Sequence, residues 1–148
     1  MNGTVDLAER VRAYAEFFAT LTPQSLDRLD ELFTHRARFK DPFNDVSGVP
    51  AIRAVFEHMY RVCPAPRFEV REWALSGQTA FIRWRFTDGP TVGRRMALDV
   101  DGMSRVVFDE AGRVLEHVDY WDPAAALYER IPMFGALLRA LRRKLSAE

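Results

Sequence analysis

The apolar residues of this chain change their spacing between Pro64 and Pro66, and this change constrains the fold more than any other feature of the sequence. Before it, apolar residues recur every three or four positions, as Leu7, Val11 and Tyr14 do, which predicts amphipathic helices. After it, the segments RFEVREWAL, TAFIRWRFT and RVLEHVDYW alternate apolar and polar residues, which predicts half-buried strands. Helices followed by hairpin-connected strands indicate an α+β fold.

Prolines and capping residues predict where the first elements begin and end. We expect a first helix from about Val5 to Leu21, a second short helix that begins near Pro23, and a third that ends near Tyr60. The segment RARFKD is expected to form a strand. This strand should end at Pro42, because proline has no amide hydrogen to donate to a neighbouring strand.

The second half of the chain is expected to form a curled antiparallel sheet and a last helix. We expect the longest strand from Val92 to Phe108, with a bend or bulge at Gly102, since a glycine inside a strand often marks one. The last helix is amphipathic, with a leucine stripe opposite a group of basic residues. Helices that cover the concave side of such a sheet leave a cavity suited to a small molecule.

Composition and charge limit the class of protein. A chain of 148 residues with 48% hydrophobic residues suits one domain, expected at 1–148, with a core of about 5–128 and a C-terminal helical extension of about 123–146. Lys and Arg together equal Asp and Glu together, 21 each, so the basic surplus that nucleic-acid binding requires is absent. The single Cys63 excludes an internal disulfide. Without a signal peptide or membrane-spanning run, we expect a cytoplasmic protein.

Three segments of the sequence together resemble a known superfamily. FKDPFNDVSGVPAIRAVF, the pair ALDV and VVFDEAGRV, and DYWDPA follow the order and spacing of the NTF2-like cone folds, which include SnoaL-like cyclases and ketosteroid isomerases. The resemblance extends to about Tyr128. It implies three N-terminal helices packed on a strongly curved antiparallel sheet around a small-molecule pocket. It also implies a homodimer packed through the outer face of the sheet, and chemistry that needs no cofactor.

The same resemblance implies roles for three residues. Asp41 falls at the position of the general base of ketosteroid isomerases. Tyr14 falls at the position of the tyrosine that, in those enzymes, donates a hydrogen bond to the enolate oxygen. Ser104 falls where those enzymes carry a neutral aspartic acid, and its hydroxyl is a weaker donor. The residues themselves leave an alternative for Asp41, which is hydrogen bonding within the Asp-Pro turn through Asn44.

His117, Asp119 and Trp121 alternate on the last predicted strand, so their side chains point to one face of the sheet. By resemblance, the tryptophan at the position of Trp121 looks into the pocket, which would place His117 and Asp119 there as a proton relay. SnoaL-like cyclases use a similar polar His and Asp set. In the alternative, Asp119 pairs with an arginine such as Arg105 and His117 is exposed on the sheet.

The expected pocket is aromatic, which favours a flat hydrophobic ligand. Its expected members beside the acid–base residues are Phe18, Phe56, Tyr60, Ser104 and Trp121. Two aspartates and a histidine could also hold a metal ion, but no His-x-His or Glu-x-x-His spacing supports this. We therefore expect no metal.

These observations predict a protein that binds a small hydrophobic molecule and that could catalyse acid–base chemistry on a carbonyl-type substrate, as an isomerase, dehydratase or cyclase. The alternative is a non-catalytic binding or assembly module whose basic C-terminal helix contacts a partner or a membrane surface. A basic amphipathic helix can lie on an anionic membrane. Packing of its leucines on the domain or on a partner protein is the preferred expectation.

Overall fold

The computed structural model describes residues 3–89, 98–126 and 132–146, and within these ranges it shows helices packed on one face of a six-stranded sheet. The helices are α1 (Leu7–Ala19), a 3-10 helix (Pro23–Arg28), α2 (Leu29–Leu32), α3 (Val49–Val62), α4 (Pro123–Ala126) and α5 (Pro132–Leu145). The strands are β1 (Phe33–Lys40), β2 (Asp45–Ser47), β3 (Pro66–Ser76), β4 (Thr79–Asp88), β5 (Asp99–Phe108) and β6 (Val114–Tyr120). The predicted α+β architecture is confirmed.

Side-chain caps explain why the first helices begin where they do. The carboxylate of Asp6 accepts hydrogen bonds from the backbone amides of Ala8 and Glu9, at 3.0 and 3.3 Å, so α1 begins two residues later than expected. Thr22 and Ser25 bond reciprocally at the start of the 3-10 helix, in the arrangement of a capping box. These bonds satisfy amides that the first helical turn leaves without partners.

The sheet has the strand order β2-β1-β6-β5-β4-β3. Four of its neighbouring pairs are antiparallel, but β1 and β6 run parallel. The expectation of an antiparallel sheet is thus wrong for this one pair, because β1 reaches β6 through α3 and four intervening strands rather than through a hairpin. The three-residue β2 was also missed, since it is too short to show an alternating pattern.

Gly102 does not form a bulge in the long strand, which was one of the two alternatives that we expected at this position. It pairs in regular register with Trp84, and the pairing of β4 with β5 has no register shift. A Cβ atom at position 102 would overlap the six-membered ring of the Trp84 indole, so the glycine provides space for that ring. The part of the expected strand from Val92 to residue 97 lies outside the described residues.

Hydrophobic burial holds α1 and α3 against the sheet. Val11 and Tyr14 on α1, and Ile52 and Phe56 on α3, are almost fully buried. Burying one such side chain contributes roughly 1.5–3 kcal/mol to folding. Tyr14 is the largest of the fully buried side chains, so α1 places a phenolic hydroxyl inside the apolar core.

The last helix, α5, begins at Pro132 and exposes three of its leucines. Leu137, Leu141 and Leu145 are exposed on it, so these three leucines do not pack on the domain. Packing on a partner protein, the other half of the expectation, stays a prediction. Arg142 Nη2 lies 3.5 Å from Asp122 Oδ2, which precedes α4. Among the helices of the described ranges, none is both long and apolar enough to cross a membrane.

The contact between Gly102 and Trp84 predicts the effect of a small substitution. Gly102→Ala should lower the free energy of unfolding by about 1–3 kcal/mol, because the added methyl group overpacks the core against the indole. Urea denaturation measures this difference. In a Trp84→Phe background, which lacks the second ring, Gly102→Ala should cost clearly less; an equal cost in both backgrounds would contradict the assignment.

Candidate functional site

The alternation of β6 directs His117 and Asp119 to the inner face of the sheet, as predicted. His117 is only 4% exposed and lies opposite Val106 of β5, while Asp119 lies opposite Ser104. The alternative, in which Asp119 pairs with Arg105 and His117 is exposed, is wrong. Arg105 instead contacts Glu116 on the outer face, at 3.1 Å.

Five side chains form a continuous hydrogen-bonded series, which we call the buried polar chain: Trp84, Ser104, Asp119, His117 and Tyr14. The indole Nε1 of Trp84 donates to Ser104 Oγ at 2.8 Å, and Ser104 Oγ donates to Asp119 Oδ1. His117 Nε2 lies 2.7 Å from the same Asp119 oxygen, and His117 Nδ1 lies 2.7 Å from Tyr14 Oη. The chain thus crosses from the sheet to α1 through the core.

The donors and acceptors in this chain have one consistent assignment when His117 is neutral. An indole N–H only donates, so Ser104 accepts from Trp84 and gives its own proton to Asp119. The carboxylate of Asp119 accepts, so His117 carries its proton on Nε2. Nδ1 of His117 is then free to accept from the hydroxyl of Tyr14. When His117 is protonated, Nδ1 donates to Tyr14, and the phenolic hydrogen becomes available to another acceptor.

The electrostatic environment keeps Tyr14 protonated. Burial raises the pKa of Tyr14 well above its usual value of 10.0, and the negative charge of Asp119 raises it further. The ring of His117 stacks on Phe39, with ring centroids 4.8 Å apart and planes inclined by 21°. Aromatic packing therefore fixes the imidazole between its two hydrogen-bond partners.

The buried polar chain borders an enclosed cavity of about 30 Å³. The rest of its lining is apolar and largely aromatic, and includes Phe18, Phe39, Phe56 and Phe68. A space of this size holds roughly one or two water molecules. A larger molecule can bind only if the aromatic side chains move apart.

Asp41 does not join the buried polar chain. Its Oδ1 accepts hydrogen bonds from the backbone amides of Phe43 and Asn44, both at 2.7 Å, and the side-chain amide of Asn44 contacts both carboxylate oxygens. Hydrogen bonding in the Asp-Pro turn, the alternative stated above, is thus what the structure shows. Asp41 does not line the enclosed cavity, so the position expected for a general base is occupied by a turn residue.

Asp41 instead lines a separate, open groove of about 510 Å³ at the ends of β1 and β6. Trp121 lines this groove and packs edge-to-face against Phe43, with ring centroids 5.5 Å apart. Asp119 borders both the groove and the enclosed cavity. Two spaces therefore meet at one carboxylate.

Only some of the other expected pocket residues line the enclosed cavity. Phe18, Phe56 and Ser104 line the enclosed cavity, whereas Tyr60 and Trp121 do not. The buried hydroxyl of Tyr60 has no hydrogen-bond partner in the part of the chain that the structure describes, and desolvation raises its pKa.

Trp84 is a member of the site that the sequence analysis did not name. The signal that could have identified it is its place on the inner face of β4, diagonally across from the polar Ser104. For metal ions, residues 3–89, 98–126 and 132–146 contain no group of three or more His, Cys, Asp or Glu side chains that could bind one.

Comparison with known proteins places this arrangement in a family. The sequence profile of the SnoaL-like domain matches residues 14–117, well over half of the chain. The chain belongs to the SnoaL-like family. No curated protein matches this SnoaL-like chain in sequence.

Solved structures of the same fold cover most of this SnoaL-like protein. A candidate SnoaL-like polyketide cyclase from Jannaschia sp. CCS1 has a TM-score of 0.67 at 18% identity, covering 84% of this chain and 94% of its own. A candidate isomerase of the SnoaL-like family from Agrobacterium tumefaciens has a TM-score of 0.63 at 19% identity, covering 78% and 96%. A protein with a ketosteroid isomerase-like fold from Catenulispora acidiphila, in complex with trimethylamine, has a TM-score of 0.66 at 15% identity, covering 80% and 89%. At these identities the likeness establishes the fold.

The raised pKa of Tyr14 predicts a loss of stability at alkaline pH. The folded protein holds the phenolic proton at pH values at which the unfolded chain loses it. The stability that this group contributes is fully present below pH 10.0 and falls as the pH rises toward the folded-state pKa. In urea unfolding between about pH 8 and 11, the free energy of unfolding should therefore decline more steeply for the wild type than for Tyr14→Phe.

Tyr120 provides the control when the measurement is made on monomeric protein, because its side chain is 60% exposed in the single chain. Under these conditions Tyr120→Phe should keep the steep decline of the wild type. If the wild type and Tyr14→Phe declined equally, the burial of an ionisable phenol at position 14 would be refuted.

Proposed function

We propose that this SnoaL-like protein binds a small, flat, mainly apolar carbonyl compound in the enclosed cavity and transfers a proton on it without a cofactor. The observation that carries the proposal is the buried polar chain, in which His117 is held between Tyr14 and Asp119 at the wall of an apolar cavity. Clusters of buried titratable groups beside a cavity are typical of acid–base sites.

The energetic cost of this arrangement supports a functional role. Burying a carboxylate and an imidazole costs several kcal/mol unless each is fully hydrogen-bonded. The side chain of Asp119 is 14% exposed and that of His117 is 6% exposed. Replacing a buried ion pair by apolar residues of the same volume often leaves a protein at least as stable. Stability alone therefore does not explain these buried polar residues, whereas a role in proton transfer does.

Asp119 is the base that best fits the geometry. Its Oδ1 accepts from Ser104 and His117, whereas its Oδ2 accepts no hydrogen bond from the described residues. In the proposed reaction His117 is protonated, so its Nδ1 donates to Tyr14 and leaves the phenolic hydrogen available. Oδ2 takes a proton from the carbon next to the substrate carbonyl, and Tyr14 donates a hydrogen bond to the resulting enolate oxygen. Where the substrate carries a carbon–carbon double bond beside that carbon, the enolate is conjugated with it. Return of the proton from Asp119 to the far carbon of that double bond then moves the double bond next to the carbonyl and completes an isomerisation.

The comparisons are consistent with this class of chemistry. Two proteins of the same fold are described as a candidate isomerase and a candidate polyketide cyclase. The apolar lining favours a hydrophobic ligand, and the small cavity requires Phe18, Phe56 and Phe68 to move when the ligand binds.

We also propose that two copies of the chain pack through the outer face of the sheet. Phe81, Met103 and Tyr120 are exposed there on neighbouring strands, and Met103 lies directly opposite Tyr120 in the register of β5 and β6. Sedimentation analysis should show a dimer for the wild type. Met103→Asp should shift it to monomer with the fold retained, and a monomeric wild type would exclude this interface.

Exchange of carbon-bound hydrogen tests the proposed chemistry without knowledge of the natural substrate. We expect the protein to accelerate, in deuterated water, the loss of proton NMR signal at the carbons beside the carbonyl of 2-tetralone, a flat apolar ketone. Asp119→Asn should slow the exchange by roughly 100-fold or more, because it removes the base and leaves a side chain of the same shape.

Asp41→Asn is the matched control, since it makes the same chemical change at the turn. It should keep the rate within about threefold of the wild type, because the substituted side chain lies outside the cavity. A large loss in Asp41→Asn with none in Asp119→Asn would assign the base to Asp41 and overturn this mechanism. Exchange no faster than in buffer would overturn the proposal for ketones of this size.

A further inference from the structure

Helix α5 presents a row of exposed leucines. Leu137, Leu141 and Leu145, which we call the leucine stripe, are 55%, 48% and 82% exposed. Their spacing of four residues places them on one side of the helix, one turn above another. Large apolar side chains aligned in this way form a binding surface rather than the scattered exposure normal for a soluble protein.

Positive charge is concentrated on the same helix as the leucine stripe, mostly on its other faces. The basic group of α5 consists of Arg139, Arg142, Arg143 and Lys144, all exposed. Residues 132–145 contain no Asp or Glu, although the whole chain has equal numbers of acidic and basic residues, 21 each. Basic residues are therefore concentrated in this helix without acidic ones, and the resulting positive charge favours an anionic partner.

We propose that α5 binds flat on an anionic membrane surface. The leucine stripe enters the boundary between headgroups and acyl chains, and the basic group contacts lipid phosphates. A helix of 14 residues is about 21 Å long, shorter than the roughly 30 Å hydrocarbon core, so it lies along the surface. This inference is independent of the proposed proton transfer.

The charges favour a membrane over a second copy of the helix. Two α5 helices packed through their leucine stripes would bring two basic groups together, and neither helix has an acidic residue to pair with them. An anionic bilayer accommodates both features, because its interior accepts the leucines and its phosphates accept the cations. Lys144 can extend its aliphatic stem over the acyl region while its amine reaches the headgroups.

Vesicle co-sedimentation tests this inference on the full chain. We expect the wild type to pellet with phosphatidylcholine vesicles that contain about a third phosphatidylglycerol, and to remain in the supernatant with phosphatidylcholine alone. Raising the salt to about 0.5 M should release most of the bound protein. Equal partitioning to both kinds of vesicle, or to neither, would overturn the proposal.

Two double variants separate the contributions of charge and apolar contact. Arg143→Gln with Lys144→Gln should weaken binding roughly 25-fold, about fivefold for each charge removed. Arg36→Gln with Arg61→Gln removes two exposed charges elsewhere and should bind within about twofold of the wild type. An equal loss in both pairs would mean that net charge, not α5, drives binding and would overturn the assignment.

Leu137→Ser with Leu141→Ser should abolish pelleting while circular dichroism shows the fold retained. Sedimentation velocity of the same variant tests the competing possibility, in which a second copy of the chain covers the leucine stripe. If these substitutions converted a wild-type dimer to monomer and left vesicle binding unchanged, the leucine stripe would bind a second copy of the chain, and the membrane proposal would be wrong.

Discussion

A buried carboxylate must be hydrogen-bonded, and the requirement of Asp119 for donors organises the interior of this protein. Ser104 and His117 supply two donors from adjacent positions on the inner face of the sheet. Trp84 in turn satisfies Ser104, and Tyr14 satisfies His117. Without any one of these partners, a polar group would remain unsatisfied in the core, which costs roughly 1–3 kcal/mol.

This requirement also connects the two layers of the fold. Tyr14 and His117 are 103 positions apart in the chain, and their hydrogen bond fixes one orientation of α1 over the sheet. Hydrophobic burial holds the helix against the sheet but is not directional. A directional bond inside an apolar layer supplies the specificity that packing alone does not, and it places the phenol at the edge of the cavity.

Local patterns in the sequence predict most of the fold and part of the site. Spacing of three and four located α1 and α3, and strict alternation placed His117 and Asp119 on the inner face. The role of Asp41 could not be decided locally, because an Asp-Pro sequence followed by Asn44 supports either an inward carboxylate or a closed turn. Gly102 was ambiguous for a similar reason, since only the register with β4 shows that it lies beneath Trp84. Pairing between β1 and β6 is non-local, and no short segment encodes it.

Asp119 borders both the enclosed cavity and the open groove, and this position has a kinetic consequence. A site sealed on every side would have to open before it could exchange protons with bulk water. Here the carboxylate touches solvent on one side and the imidazole of His117 on the other. In the proposed reaction, resetting the protonation state of Asp119 is therefore independent of the movement of aromatic side chains that ligand binding requires, and either step can limit the rate.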